Sequence, residues 1–145
     1  MGRSQYKSRF QAPSPRELET IITDHDGAEA LVKWAERIGQ ALARQLATNQ
    51  IRSLFGEVRS IQSEWLTPGD LPADEHRRAR ARRNLILLKP KMAYRARKER
   101  GQGVQHLVSV LSPAIDLVAG DSANFKRFVE FFEAILAYHK AHGGS

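Results

Sequence analysis

The chain has 145 residues, of which 41% are hydrophobic and 27% are charged, and this length and composition fit one domain with a single core. It contains no cysteine, which excludes disulfides, cysteine-bound zinc, iron–sulfur clusters and thiol catalysis. Its 23 basic and 16 acidic residues give a net charge of +7, which predicts an anionic partner, with nucleic acid favoured over an anionic membrane.

No apolar run approaches the roughly 20 residues that a membrane span needs, and the N-terminus has no apolar segment typical of a secretory signal. We therefore expect a cytoplasmic protein that does not associate with membranes. Residues 1–12 carry Arg3, Lys7 and Arg9 and no acid, so residues 1–13 are predicted to form a flexible basic arm. Residues 14–145 are predicted to form a single helical domain.

Helical spacing of apolar residues dominates the chain, and no strand-like alternation persists, so the predicted fold is all-α. We expect a single-domain bundle of about five to six helices with a long C-terminal helix. The first helix starts at the capping sequence Ser14-Pro15-Arg16-Glu17 and ends near Thr23. A second helix is predicted over about residues 28–47, and a third follows Thr48, which is a suitable cap.

The second half begins with a linker, residues 66–75, identified by its proline, glycine and aspartate content. The next helix is predicted to end or kink at Pro90 and to resume up to about Arg100. A fifth helix begins near Val104 with a restart or kink at Pro113, and Asp121 caps the last helix. The predicted core consists of five large aromatic residues, namely Trp34, Phe55, Trp65, Phe128 and Phe132.

The positive charge is concentrated in residues 76–100, which hold 11 basic residues and one acid, Glu99. This segment has a charge of +10, so the other 120 residues carry −3. A solvated helix face with internal salt bridges normally interleaves both signs at i, i+4 spacing. Because acids are almost absent here, the segment is predicted to bind an anionic partner.

Catalytic signals are sparse. The sequence has no nucleophile elbow, phosphate-binding loop, zinc-protease motif or dinucleotide fingerprint. His139 and His142, at i, i+3, and the sequence Asp24-His25-Asp26 are possible metal ligands, but structural or solvated roles are favoured for them. We therefore expect no enzymatic activity, cofactor, metal or small-molecule substrate. The alternative of a metal-dependent nuclease would need these histidines and aspartates.

Residues suited to binding phosphate lie around Pro90. Lysine and arginine neutralise phosphates, and an aromatic ring offers a stacking face for unpaired bases. These candidates are Lys89, Lys91, Tyr94, Arg95 and Arg97. Lys126 and Arg127 at the start of the last helix, and Arg52 and Arg59 beside the apolar stripe of the third helix, are further candidates.

Three segments together resemble a known family. They are residues 50–59, which include Gln50-Ile51-Arg52 and Phe55-Gly56-Glu57-Val58-Arg59; residues 87–94, with the pattern L-L-K-P-K-x-A-Y; and residues 124–144, with F-K-x-F and A-Y-H-K-x-x-G-G. In this order and spacing they resemble the small subunit of type III-A CRISPR–Cas effector complexes, the Csm complexes. The resemblance covers about residues 35–145. Neither the first 25 residues nor the segment 66–83, which includes the arginine cluster 77–83, takes part in it.

The resemblance implies a non-catalytic helical subunit that stacks with copies of itself and other subunits in a short filament. In antiviral defence it would help to hold the duplex of guide (CRISPR) RNA and target RNA through basic residues. Carried over by position, the best candidates for phosphate contact are Arg52, Lys89, Lys91 and Arg95. The second group is Arg59, Arg97, Lys126 and Arg127.

The charge pattern also permits a helical DNA-binding regulator or another basic nucleic-acid-binding module, with the arginine-rich helix in a major groove. Such a regulator would act as a dimer on a specific site. A membrane-surface module would need a bulky apolar face next to the cations, whereas the apolar faces here are predicted to enter the core.

Overall fold

A computed structural model describes residues 10–145, and within this range the chain forms six α-helices and no strand. The all-α prediction is therefore confirmed. In chain order the helices are α1 Pro15–Thr23, α2 Ala28–Leu42, α3 Thr48–Trp65, α4 Pro72–Lys98, α5 Gly103–Val118 and α6 Ser122–Ala141. None of these helices is both long enough and apolar enough to cross a membrane.

The helix starts follow local capping chemistry. Ser14 Oγ accepts a hydrogen bond from the Glu17 amide at 3.1 Å, and Glu17 Oε1 accepts one from the Ser14 amide at 2.9 Å, which completes the predicted capping box. Asp121 caps α6 as predicted, because its carboxylate accepts from the Ala123 amide. The prediction that Thr48 caps α3 is wrong, since Ala47 holds the cap position and Thr48 is the first helical residue.

Two prolines lie inside continuous helices. The prediction that the helix ends at Pro90 is wrong, because α4 runs unbroken to Lys98, and α5 likewise continues through Pro113. Both prolines are exposed, so water can reach the carbonyl groups that lose a helical donor. Buried residues on either side of Pro90, Leu88 and Met92, hold both halves of α4 against the bundle.

Two helix boundaries differ from the sequence-based prediction. Helix α2 ends at Leu42 rather than near residue 47, and α4 begins at Pro72, so the connection between α3 and α4 is shorter than predicted. The proposed arm lies partly outside the described residues, from 1 to 9. Its described end contacts the bundle, because Pro13 is buried and Phe10 stacks on His106 with ring centroids 4.5 Å apart.

Helix α6 lies at the centre of the bundle and packs against α1, α2, α3 and α5. Trp34, Trp65, Phe128 and Phe132 are buried as predicted, whereas Phe55 is only partly buried against the edge of Phe132. Helix α6 adds further fully buried side chains to this core, namely Phe125, Phe131, Ile135 and His139. One apolar core therefore connects the first helix to the last.

Two histidines hold the turn between α2 and α3. His106 of α5 lies 2.6 Å from the Gln45 side chain, and His139 of α6 lies 2.6 Å from the Leu46 carbonyl. Because a carbonyl only accepts, Nε2 of His139 must carry the proton. The chain end then folds back over His139, where a Cβ on Gly144 would overlap the imidazole ring. The C-terminal motif, within residues 124–144, therefore has glycine at position 144 because a side chain there would clash with the imidazole ring.

Replacing Phe128 by alanine tests the central core. Deleting a fully buried phenylalanine removes apolar contacts and leaves a cavity, so Phe128→Ala is expected to lower the free energy of unfolding by about 3–5 kcal/mol. Urea unfolding followed by circular dichroism measures this loss. Tyr94→Ala is the control, because Tyr94 is exposed and its removal is expected to change stability by no more than about 0.5 kcal/mol. Equal losses in both variants would contradict the assignment of the core.

The stability of the protein is also expected to depend on pH, through His106. Burial lowers the pKa of His106 below its ordinary value of 6.5. As the pH falls through 6.5, His106 of the unfolded chain takes up a proton, whereas His106 of the folded chain does not. The folded state therefore loses stability below this pH. Above pH 6.5 His106 is neutral in both states, so it causes no such loss. Urea unfolding at about pH 7.5 and about pH 5.5 measures the loss. His106→Gln is expected to lose less stability between the two pH values than the unmodified protein, and an equal loss would contradict this role.

Candidate nucleic-acid interface

Helix α4 carries ten of the 23 basic residues of the protein and two acids, Asp74 and Glu75. Only one narrow face of the helix enters the core, through Ala81, Leu85, Leu88 and Met92. The remaining circumference is polar or exposed, and no acid occurs on it between Glu75 and the end of the helix. Contacts with neighbouring helices determine which of these cations are free to bind a ligand.

The arginine cluster 77–83 is partly neutralised within the molecule. Arg82 and Arg78 both bind Glu75, and their hydrogen bonds, that of Arg82 first, lower the pKa of this carboxyl group. Arg78 also donates to the carbonyl groups of residues 67 and 69, and Arg80 meets Glu64 of α3 at 3.2 Å. Acids are almost absent within residues 76–100, but Glu75 at the start of α4 and Glu64 of α3 supply partners in the folded protein.

Two of the strongest candidates for phosphate contact already have partners within the protein. Lys89 is paired with Asp116 of α5. Arg95 donates to Ser53 at 3.2 Å and to Glu99 at 3.4 Å, and its guanidinium lies 4.0 Å from Glu57. Its side chain is only 22% exposed. Arg95 therefore links α3 to the end of α4, and contact with a ligand would require it to leave these partners.

Arg127 forms structural hydrogen bonds that join α6 to the end of α1. Its guanidinium donates to the carbonyl of Ile22 at 2.7 Å, to that of Thr23 at 3.4 Å and to Asn124 at 2.8 Å. Two of these acceptors are carbonyl groups at the C-terminal end of α1, which have no partner within the helix. Arg127 therefore caps α1 from α6.

Four of the predicted residues are exposed and form no side-chain hydrogen bond or ion pair within residues 10–145. They are Arg52, Lys91, Arg97 and Lys126. Arg59 is 57% exposed, with its guanidinium 3.9 Å from Glu133 and 5.8 Å from the centre of the Phe55 ring. Lys126 shares the outer side of α6 with Glu130 and Glu133, so acids lie next to it.

Helices α3 and α4 place the exposed cations on neighbouring, antiparallel elements. The contact of Arg95 with Ser53 and that of Arg80 with Glu64 fix this alignment, and Lys91 lies one helical turn from Arg95. Tyr94 is 66% exposed, and the Lys98 ammonium lies 5.9 Å from the centre of its ring. A cation and an aromatic face are therefore presented together on the outer side of α4.

The outer side of α3 is a feature that sequence reasoning did not single out. Between Arg52 and Arg59 its exposed residues are small and uncharged, namely Ser53 and Gly56, and Ser60 follows. Nothing lies within 4 Å of the position where a Cβ on Gly56 would be. The helical spacing of these small residues is the sequence signal that could have revealed this surface. They leave Arg52 exposed, whereas Arg59 lies beside Glu133 and the Phe55 ring.

A cavity of about 430 Å³ opens between α4 and α5, next to the turn that leads into α6. Apolar side chains, including Trp65, Leu85 and Ile115, form most of it, and Arg82, Lys89 and Asp116 also line it. In that turn Ala119 adopts a left-handed conformation with φ of 49°. No local sequence pattern points to this cavity, because its walls come from three helices.

Of the possible metal ligands, His139 and His142 are engaged in structural contacts, whereas the ligand atoms of Asp24, His25 and Asp26 lie within 4.8 Å of one another. His139 is buried on the Leu46 carbonyl, while His142 lies 3.7 Å from Glu36, so the two imidazoles serve separate contacts. The Asp24-His25-Asp26 group is exposed, and Asp24 accepts a hydrogen bond from the Asp26 amide at 2.8 Å. This is the geometry of an Asx turn, which breaks the chain between α1 and α2.

The family model described as Csm2 Type III-A matches residues 25–145. The chain belongs to the Csm2 family. It is thus a type III-A CRISPR–Cas small subunit and a component of a Csm effector complex, as the resemblance in its sequence implied. The match begins about ten residues before the point where that resemblance starts, and it includes α2 and the arginine cluster. Comparisons with curated proteins and with solved structures found no match.

In this Csm2 chain, Arg127→Ala is expected to reduce stability. The variant leaves carbonyl groups of Ile22 and Thr23 without their donor, so we expect the free energy of unfolding to fall by about 1–3 kcal/mol. Thermal or urea unfolding checks this, with Lys126→Ala as the control from the adjacent exposed position. A destabilisation by Lys126→Ala as large as that by Arg127→Ala would argue against the capping role.

Proposed function

We propose that this small subunit binds RNA without catalysing a reaction, and holds the duplex of guide and target RNA through its phosphates. Copies of the chain stack beside the other subunits of the effector complex. The subunit acts in the cytoplasm in antiviral defence and uses no cofactor and no small-molecule substrate.

The observation that carries this proposal is the group of exposed cations on α3 and α4. Arg52, Lys91 and Arg97 have no internal partner within the described residues. The one acid between Arg52 and Arg59 in the sequence, Glu57, faces α4, where it lies 4.0 Å from Arg95. An exposed cation that has no carboxylate partner gives up no internal ion pair when it binds a phosphate, so its binding is favourable. Cations that already have carboxylate partners, such as Lys89, gain less from a phosphate.

The type of contact also determines the type of specificity. Arginine and lysine side chains that meet phosphates position a nucleic acid but read no bases. In an RNA-guided complex, base pairing between guide and target provides the sequence information, so the protein needs to recognise only the backbone and the shape of the duplex. Exposed Tyr94 additionally offers a stacking face where a base is unpaired.

Binding to an RNA duplex is expected to weaken steeply with salt. If about four to six phosphates are neutralised, the logarithm of affinity falls with the logarithm of salt concentration with a slope of roughly −3 to −5. Filter binding between about 50 and about 200 mM salt, with guide–target RNA duplexes of unrelated sequence, measures this slope. Affinity that does not change with salt, or that is confined to one duplex DNA site, would contradict the proposal and favour the DNA-binding alternative.

Matched charge reversals locate the interface in the same assay. Arg52→Glu and Lys91→Glu are each expected to weaken binding to all sequences alike and to reduce the salt slope by about 1 or more. Lys33→Glu is the control, because Lys33 is an exposed cation on α2, a helix that packs mainly on α6 and α1. Circular dichroism checks that each variant remains helical. Equal weakening by Lys33→Glu would mean that only total charge matters.

A further inference from the structure

The two ends of the bundle carry opposite charge. Side-chain contacts between neighbouring turns divide the turns into two groups, one at each end. The first group, which we call the basic end, comprises residues 10–14, 43–47, 99–102 and 142–145. The second group, which we call the acidic end, comprises residues 24–27, 66–71 and 119–121.

The charges of the adjoining segments are almost completely separated. At the acidic end, residues 24–29, 64–75 and 116–121 hold nine acids and no lysine or arginine. At the basic end, residues 43–56, 91–106 and 134–145 hold eight lysines and arginines and one acid, Glu99, which accepts hydrogen bonds from Gln50 and Arg95. Five cations of the basic end are exposed and form no side-chain hydrogen bond or ion pair within residues 10–145, namely Arg44, Arg52, Arg97, Arg100 and Lys140.

The helix dipole does not explain this separation. Negative charge is favoured in the first turn of a helix and positive charge in the last turn. Helices α2 and α4 start at the acidic end and follow this rule, with Glu29, Asp74 and Glu75 in their first turns. Helices α3 and α5 start at the basic end without an acid in the first turn, and Glu64 and Asp116 lie in their last turns. The charges of α3 and α5 therefore follow the end of the bundle, which indicates an anionic partner at the basic end.

The N-terminal segment of the chain leads to the basic end. Helix α1 is fixed to the bundle, because Arg127 donates to its last carbonyl groups and the Trp34 indole donates to Glu17 at 3.2 Å. Before α1, Phe10 stacks on His106 of α5 with the two rings almost parallel, at 3°. Both α1 and the residues before it lie outside the part of the chain that the family model matches.

We propose that Phe10 holds residues 1–9 at the basic end, where Arg3, Lys7 and Arg9 bind phosphates of the RNA that also contacts Arg52. Residues 1–9 contain these three cations and no acid, and Phe10 follows them directly, so a contact in the structure fixes the point at which they reach the bundle. This inference rests on the RNA binding of the proposed function. It adds to that function a second group of cations, which the matched part of the chain does not contain.

Two observations favour RNA over an acidic protein as the partner of the basic end. Protein contacts are typically centred on apolar anchors. Among the described segments of the basic end, Tyr94 is the one large apolar side chain that is exposed, and its ring can stack on a base. Arg52 and Arg97 also belong to the exposed cations of α3 and α4, so one RNA can contact the side of the bundle and the basic end together.

The first test removes the three cations from the full chain. The triple variant Arg3→Gln, Lys7→Gln and Arg9→Gln is expected to bind an RNA duplex about tenfold or more weakly at about 50 mM salt. The salt slope is expected to become shallower by about 2 to 3, because up to about three phosphate contacts are lost. Filter binding with duplexes of unrelated sequence measures both quantities. Circular dichroism is expected to show unchanged helicity, since α1 and Phe10 are retained.

The second test keeps every cation and removes the anchor. Phe10→Ala deletes the ring that stacks on His106. Residues 1–9 are then held less closely at the basic end, so the effective concentration of their cations at the RNA falls. Affinity is expected to fall about threefold, with a salt slope within about 0.5 of that of the unmodified protein, because the same phosphate contacts still form. Unchanged affinity would overturn the role of Phe10.

Lys33→Glu is the control for net charge, because it lowers the charge by two units and the triple variant lowers it by three. It is expected to weaken binding by no more than about twofold. A triple variant that binds RNA no more weakly than Lys33→Glu would overturn the inference. So would a triple variant that loses affinity for polyglutamate and not for RNA, because its partner would then be an acidic protein. Failure of the proposed function is a different result, in which the unmodified protein itself binds no RNA duplex at low salt.

Discussion

The fold depends on burial of one face of α6. Phe125, Phe128, Phe131 and Phe132 are all withdrawn from water, and four other helices supply the contacts that cover them. Trp65 stacks on Phe125 with ring centroids 4.2 Å apart, which joins the end of α3 to the start of α6. Large aromatic side chains bury the most apolar area per residue, so this helix accounts for much of the stabilisation that a chain of this size can gain.

The central position of α6 explains where the charge lies. Helix α4 makes no substantial contact with α6 and packs mainly on α3 and α5, so a single narrow face of its 27 residues is buried. A helix on the outside of the bundle can carry many cations, because their ends remain in water. Cations nearer the centre receive internal partners, as Arg127 does at the end of α1. Cations of α4 that face α3 or α5 also have internal partners, as Arg95 and Lys89 do, so only part of the charge on this outer helix is unpaired.

Sequence patterns predicted the elements of this fold better than its contacts. Apolar spacing and the caps at Ser14 and Asp121 are local, and the structure confirms the predictions based on them. Helix α4 does not end at Pro90, because contacts of Leu88 and Met92 with the bundle hold it together across the proline. The partners of Arg127 and Lys89 are 105 and 27 residues away, so no local count of acids and bases could reveal them. Six of the predicted site residues are exposed, Arg59 and Tyr94 among them, while Lys89, Arg95 and Arg127 are partly buried against internal partners.

The motifs that pointed to the family therefore combine two kinds of constraint. In the C-terminal motif, His139 and Gly144 form one contact: the imidazole holds the Leu46 carbonyl, and the glycine lets the chain end close over the ring. In the motif around Pro90, Leu88 enters the core and Lys89 pairs with Asp116, whereas Lys91 faces water. A motif of this kind supports family membership without implying that each of its residues binds RNA. Within the motif, substitution of an exposed cation that has no internal partner is expected to alter RNA affinity and to leave stability unchanged.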